Sequence, residues 1–434
     1  MVWSGGPQPG ERRTDGVLKT GALDRRDGEV GASRAPGARN LQRARARAHV
    51  CISSSFALCV AVSCTVLLRH RATSGSPCAT GMPRRDQYQR QACWSSSIHG
   101  RWRPEAHPQV TYTITNEAGG WRASNLPRER RYWEQYAWQP VAGLSLDVSP
   151  VSRARWCSVM NQQNIGRIAI IGDSIAWSMV QSLWKLLAIG GGPPPRRPLS
   201  RLLRIDCGKA NPVELQWVAA NHLNATITAE TVRGADLTVL NAGPWYSSSN
   251  AAMRERFVSV QAEPGRLSNE GTGGSGGRVW RRKEAANTVS MSSAWRLFVD
   301  DLLEVYRTLR IENLPDAKHR LIWRTSHTGH PDCHNHTRPL SSAGDSLEGL
   351  LSCRECVDSW GWHLYPALDR AAHDRLGTLG ALVFDVRPMT SLRPDAHSEK
   401  PYAPNKYDCL HLALPGVPDW WGALLLATME SCGV

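Results

Sequence analysis

Three side chains in this sequence are of the types that nucleophilic acyl chemistry needs: Ser174, Asp408 and His411. A serine hydroxyl becomes a nucleophile when a base takes its proton, and an imidazole serves as that base when a carboxylate fixes its tautomer. Ser174 lies in Arg167-Ile-Ala-Ile-Ile-Gly-Asp-Ser-Ile175, between an uninterrupted apolar run and a segment of helical periodicity. Asp408 and His411 stand three apart in Tyr407-Asp-Cys-Leu-His411, so one loop can carry both ahead of the apolar C-terminal segment. A hydroxyl at a strand-to-helix turn also adjoins the N–H groups of the first helical turn, which can hold an oxyanion. Serine is equally a favoured helix N-cap, and Gly-Asp-Ser alone is compatible with that role. An Asp-x-x-His pair alone is compatible with a solvated surface. The combination of the two segments points to a relay.

The elements that must position these residues follow from periodicity. Residues 168–171 predict a short buried strand, broken by Gly172 and Asp173. Ile175, Met179, Leu183, Leu186 and Leu187 then recur on one helical face, and Gly190-Gly-Gly-Pro-Pro-Pro195 ends that helix. Residues 199–205 and 213–222 are apolar enough for further elements. Residues 235–241 predict a buried strand that ends at Asn241, followed by Ala-Gly-Pro-Trp245. Residues 290–311 predict an amphipathic helix, with Trp295, Phe298, Val299, Leu302, Leu303, Tyr306 and Leu309 at helical spacing. Residues 321–325 and 381–386 predict strands, and 422–429 a short apolar helix. Alternation of strand and helix from 168 to 386 argues for a layered α/β sheet. In such a sheet the residues at the carboxyl ends of strands line the active crevice, and both Ser174 and Asn241 have that placement.

Composition sets the surroundings. The 434 residues carry a net charge of +14, 12 Cys, and 18 Trp against 4 Phe. The basic residues form no recognisable nucleic-acid module, so a nucleic-acid partner is not expected; an anionic or hydroxyl-rich glycan fits the charge. Indole faces stack on sugar rings, although core packing accounts for most Trp. The cysteine number, together with the sequons Asn224-Ala-Thr226 and Asn335-His-Thr337, suits an oxidising compartment. Residues 1–49 read as a disordered basic tail. Residues 50–68 are uncharged, contain five Ser or Thr, and are just long enough to span a bilayer. Arginines are in excess on their N-terminal side, which favours a signal-anchor with a cytoplasmic N-terminus and a lumenal remainder. Residues 69–92 read as a stem, and 93–434 as the globular domain, with 93–160 as loops and short strands covering the core. Residues 263–286 are Gly-rich and basic and read as an exposed, mobile insertion.

Several segments carry a resemblance. Gly172-Asp-Ser-Ile175, with Asp408-Cys-Leu-His411 and the following Leu-Pro-Gly-Val-Pro-Asp419, resembles the PC-esterase group of the GDSL/SGNH superfamily, and within it the plant trichome birefringence-like polysaccharide O-acetyltransferases. Cys93 to Trp102 is similar to the start of the family domain. Asn241-Ala-Gly-Pro-Trp245, Arg324-Thr-Ser-His-Thr-Gly-His330 and Arg393-Pro-Asp-Ala-His397 are similar to three internal blocks. The resemblance implies a three-layer SGNH fold in a single-pass type II Golgi protein that moves acetyl groups onto glycan hydroxyls. It implies Ser174 as nucleophile, His411 as base, Asp408 as its partner, and an oxyanion hole from Asn241 and the Ser174 N–H. Trp245, Arg324 and His330 become candidate substrate-binding residues. No bound cofactor is implied; acetyl-CoA or another acetyl ester would be the co-substrate, and a polysaccharide or oligosaccharide the acceptor. The chain departs from the family at Trp177 and Ser178, where Arg-Asn is usual, and at Leu412 and Ala413, where Trp-Cys is usual. Cys409 survives, and Cys333 stands where its family partner would be, which implies a Cys333–Cys409 disulfide.

Two alternatives use the same residues. The same relay with water as acceptor is a carbohydrate acetylesterase, and the same fold without chemistry is a membrane-anchored glycan-binding protein. A third concerns metal. His327, His330, Cys333, His334 and His336 precede Cys353-Arg-Glu-Cys356, a spacing that can bind zinc, although a lumenal Cys-x-x-Cys more often reflects disulfides. No metal is expected.

Overall fold

Why the chain folds as it does is clearest at its most apolar strand. Residues 168–171 carry no polar side chain, and a strand buried on both faces reads in this way. In the computed structural model, which describes residues 85–97, 99–104, 135–140, 146–187, 200–208, 211–247, 291–316, 318–397 and 407–434, they lie at the centre of a six-stranded sheet. In chain order the described elements are α1 (Arg85–Ser97), β1 (Gly100–Pro104), β2 (Tyr136–Pro140), α2 (Arg153–Gln162), β3 (Arg167–Gly172), α3 (Ser174–Leu187), β4 (Ser200–Ile205) and β5 (Val213–Ala219). They continue with α4 (Ala225–Gly234), β6 (Leu237–Leu240), α5 (Met291–Ile311), β7 (Arg320–Arg324), α6 (Ala343–Ser352), α7 (Arg354–Asp358), α8 (Tyr365–Leu376), β8 (Leu382–Phe384), α9 (Arg387–Thr390) and α10 (Val417–Cys432).

The sheet order is β4-β5-β3-β6-β7-β8. All neighbours run parallel except β4, which pairs antiparallel with β5 at the edge. The parallel strands thus follow the doubly wound order 2-1-3-4-5, whose switch point falls between β3 and β6. From there the connections run to opposite sides along the sheet, an arrangement that opens a crevice at the carboxyl ends of the two strands.

Alternation of side chains along β3 divides the core in two. Ile168 and Ile170 join Val239, Ile322 and Phe384 under α3 and α10. Ile171 joins Leu240, Leu321 and Trp323 under α4, α5 and α8. The result is a three-layer α/β arrangement, with each buried aliphatic side chain contributing about 1.5–3 kcal/mol. Helix α10 is buried on every side from Val417 to Met429, as an apolar helix without a polar face must be. Gly422 lets it approach α3, since a Cβ there would meet Leu183 Cδ2 at 2.8 Å.

Several expectations need correction. Residues 93–160 contain more helix than loops and short strands alone: α2 begins within them, capped by Ser152 Oγ, which accepts the Arg155 N–H at 3.2 Å. Helix α1 runs through the stem boundary placed at 93. Its polar sequence gives no apolar stripe; Trp94, fully buried against Phe384, and a Cys93–Cys432 disulfide hold it to the domain. The C-terminal helix starts at Val417 rather than 422. The tail 1–49, the span 50–68, most of the stem and the insertion 263–286 lie outside the described residues. Among the described residues no helix is long and apolar enough to cross a membrane.

Candidate active site

The strand β3 delivers Ser174 to the crevice. Gly172 is required by close approach: a Cβ would meet Ala176 Cβ at 2.7 Å and the Asn241 carbonyl at 2.9 Å. Asp173 takes the capping role that the sequence left open for Ser174. Its Oδ1 accepts the Ile175 N–H at 2.8 Å, and its carbonyl accepts the Trp177 N–H at 3.0 Å. The Ser174 hydroxyl is thereby left for another partner, and Ser174 is half-buried between buried neighbours.

That partner is His411. Ser174 Oγ lies 2.6 Å from His411 Nε2. On its other side, His411 Nδ1 is 2.8 Å from Asp408 Oδ2 and 3.0 Å from Oδ1. A carboxylate accepts only, so Nδ1 carries the proton and Nε2 presents a lone pair to the hydroxyl. Asp408 Oδ1 also accepts the backbone N–H groups of Leu410 at 3.2 Å and His411 at 3.0 Å. Burial alone would raise the Asp408 carboxyl, but these bonds and the charge of His411 bring it down to about 2. The carboxylate therefore stays ionised across any ordinary pH. The fold stability it supplies is present above its unfolded value and lost as pH falls through about 2.

The base loop is held by the rest of the domain. Cys409 is bonded to Cys333, and the His330 N–H donates to the Cys409 carbonyl at 2.8 Å. His327 Nε2 meets the Leu410 carbonyl at 2.9 Å. Behind the loop, Asp419 at the start of α10 accepts the Gly416 N–H at 2.6 Å and the hydroxyl of Ser182 on α3. Helices α3 and α10, behind Ser174 and the loop of His411, are thus joined by a buried hydrogen bond.

Other candidates sit differently from expectation. Asn241 is 1% exposed, and its amide donates to the Arg324 carbonyl and to Ser326 Oγ, each at 3.0 Å. With both amide protons engaged, it ties β6 to β7 beneath the crevice and offers no donor to an oxyanion. Arg324 is wholly buried: Nη2 donates to Asn241 Oδ1 at 2.5 Å and the guanidinium lies 5.0 Å from the Trp421 ring centre. Burial lowers it to about 10 against the attraction of Asp173 and Asp369, and it has no exposed surface. His330, at 2% exposure, is equally out of reach. Arg324 and His330 are structural floor rather than substrate contacts. Trp245 is half-buried in the turn after β6, where a substrate contact remains open to it.

Sequence reasoning missed Asp173 as cap, His327 as loop tie, and the Arg393–Asp395 pair. That pair is bidentate at 2.9 Å and fully buried, with Arg393 4.1 Å over the Trp102 ring. Only their place within the recognised blocks signalled them. Cys353 and Cys356 are bonded to each other, so their thiolates are not available as zinc ligands.

A mostly parallel α/β sheet with a serine–imidazole–carboxylate relay at its carboxyl edge defines a class built for acyl-ester chemistry. Residues 209–428, a little over half of the chain, match the PC-esterase family, a GDSL/SGNH-like acyl-esterase family found in Pmr5 and Cas1p. The chain belongs to that family, which implies acyl-ester hydrolysis or acyl transfer. The matched segment contains Asp408 and His411 but begins after Ser174, which joins them through the fold. No curated protein matches the chain.

Proposed function

We propose that this chain is a polysaccharide O-acetyltransferase of the trichome birefringence-like kind, acting in the Golgi lumen from a single N-terminal anchor at 50–68. The observation that carries the reading is the continuous relay from Ser174 Oγ through His411 to Asp408, at 2.6 and 2.8 Å. His411 Nε2 takes the hydroxyl proton as Oγ attacks the acetyl carbonyl of a donor ester. We assign to the developing oxyanion the N–H of Ser174, at the first position of α3, where a helix has no intrahelical acceptor for it. Collapse expels the donor alcohol or thiol, which receives the proton from His411, and leaves an acetyl ester on Ser174. A sugar hydroxyl then gives its proton to the same Nε2 and attacks the ester; collapse expels Ser174 Oγ, which takes that proton back from His411, and leaves the acetyl group on the sugar.

A glycan acceptor is supported by half-buried indoles near the nucleophile. Trp177 lies one turn beyond Ser174 on α3, and its ring centre is 4.7 Å from that of Trp217. Trp217 Nε1 donates to the Gly172 carbonyl at 3.3 Å, so this aromatic pair is built onto the nucleophile turn itself. Trp177 stands where the resembled group has Arg, which supports an acceptor or donor of its own. Water as the acceptor would give a carbohydrate acetylesterase with the same residues. A glycan-binding protein without chemistry would have no need of the relay.

The test feeds the intact chain and its Ser174→Ala variant an activated acetyl ester, with and without xylan or pectin oligosaccharides. Ser174-dependent acetyl on the sugar supports transfer. Acetate release unaffected by any sugar indicates the esterase, and no difference between the two proteins indicates a binding protein.

A further inference from the structure

Three consecutive carbonyls of the base loop are each held by a residue outside it. Cys409 is held by the His330 N–H, Leu410 by the His327 ring, and His411 by His397 Nδ1 at 2.7 Å. The last of these belongs to a longer chain. His397 Nε2 is 2.7 Å from His330 Nδ1, and His330 Nε2 is 3.2 Å from the Ser391 carbonyl. Both rings are buried, at 3% and 2% exposure.

The protons in this chain can be counted. A carbonyl only accepts, so His397 Nδ1 carries a proton, and Nε2 of the neutral ring is then a lone pair. The 2.7 Å contact needs one proton between the rings, which must sit on His330 Nδ1. The neutral pair has two protons for three contacts, and the arrangement that serves both 2.7 Å contacts leaves His330 Nε2 bare at the 3.2 Å contact with the Ser391 carbonyl. A third proton would satisfy all three contacts but would bury a charge. Burial holds His397 at about 4, with the His411 carbonyl and Asp408 pulling it up and His327 and His411 pulling it down. Burial also holds His330 well below its ordinary range; His397 and His336 push the same way, and the Ser391 and Thr390 carbonyls oppose them. The neutral pair is the form present at neutral pH.

We propose that His330 and His397 are positioning residues: a strut of two imidazoles that, in the neutral arrangement serving both short contacts, presents His397 Nδ1–H to the His411 carbonyl and so fixes the backbone from which the base reaches Ser174. The inference rests on the reading of the relay as catalytic. It reduces the ring of His330 to one duty, donation from the Nδ1 position. An asparagine amide nitrogen can take over that duty, and leucine cannot.

The experiment uses the intact chain and its His330→Leu, His330→Asn and His397→Asn variants. Two readouts apply: the rate at which an alkyl fluorophosphonate labels Ser174, and the histidine tautomers from imidazole ¹⁵N NMR. His330→Leu should label about tenfold more slowly or worse, as a displaced base implies. His330→Asn should recover most of that loss. The double variant His330→Leu with His397→Asn should be no slower than His397→Asn alone, because the tautomer enforced by His330 no longer matters. His397 should be protonated at Nδ1 and bare at Nε2 in the wild type and in His330→Asn. A wild-type His397 protonated at Nε2 would overturn the strut. So would a folded His330→Asn as slow as a folded His330→Leu. If His330→Leu does not fold, the wild-type spectrum and the asparagine variant decide. A wild type with the expected tautomer that never labels at Ser174 supports the strut and removes instead the catalytic reading beneath it.

Discussion

Ser174 is placed by a strand, a turn and a helix that are contiguous in the chain, whereas the loop that carries His411 is held by contacts that reach as far as 83 positions upstream. On the nucleophile side, β3 and α3 are buried regular elements, and Gly172 and Asp173 shape the turn between them. On the base side, residues 407–412 form no regular element; a disulfide and three carbonyl contacts hold them. The difference teaches where the relay is vulnerable. Damage to the nucleophile turn should cost stability as well as chemistry, because the turn is part of the core. Damage to the ties of the base loop should cost chemistry while leaving β3 and α3 intact.

Ser174→Ala removes the nucleophile without disturbing either side. Turnover of an activated acetyl ester should fall roughly 10³–10⁴-fold or more, with an unchanged Tm. Asp408→Asn should cost roughly 10³–10⁴-fold, since the wrong tautomer of His411 would then be favoured. It also attacks the loop, whose Leu410 and His411 N–H groups bond to Asp408. Cys333→Ser separates the two sides. Loss of the Cys333–Cys409 bond should lower stability by about 2–4 kcal/mol in chemical denaturation. It should also lower kcat, while β3 and α3 keep their protection against hydrogen exchange. Gly172→Ala is the converse: its Cβ has no room, and a loss of about 1–3 kcal/mol should accompany the loss of activity. If Cys333→Ser left kcat untouched, the contrast between the two sides would collapse.

The smallest effect concerns pH. Asp369 lies below the crevice, 3.0 Å from Trp323 Nε1, and burial raises it to about 7 against the pull of Arg387. A raised carboxyl contributes stability that is fully present below its unfolded value near 3.8 and is lost as pH rises through about 7. Asp369→Asn removes that dependence. Its Tm relative to wild type should rise between pH 5 and pH 8, by calorimetry, and a constant difference would show that Asp369 does not titrate there.

The same contrast explains what the sequence revealed. The nucleophile side was legible because a buried strand shows itself as an apolar run and α3 as a 3.6-residue stripe. The spacing of Asp408 and His411 was legible, but their supports were not, since a side chain's tie to a remote carbonyl leaves no periodic trace. Asn241 illustrates the limit. Its place at the end of β6 could be read, but the engagement of its amide by β7 depends on a strand 80 residues later. Arg324 and His330 could be placed in motifs, yet their burial depends on α10 and the base loop closing over them. Helix α1 was hidden because Trp94 and one disulfide hold it in place of an apolar stripe.

The measurement that bears most directly on the relay is mass spectrometry of the acid-quenched chain after brief exposure to p-nitrophenyl acetate. The account predicts one added acetyl group on the peptide containing Ser174, absent from Ser174→Ala and strongly reduced in His411→Ala. Acetyl on another residue, or equal labelling of wild type and Ser174→Ala, would contradict it.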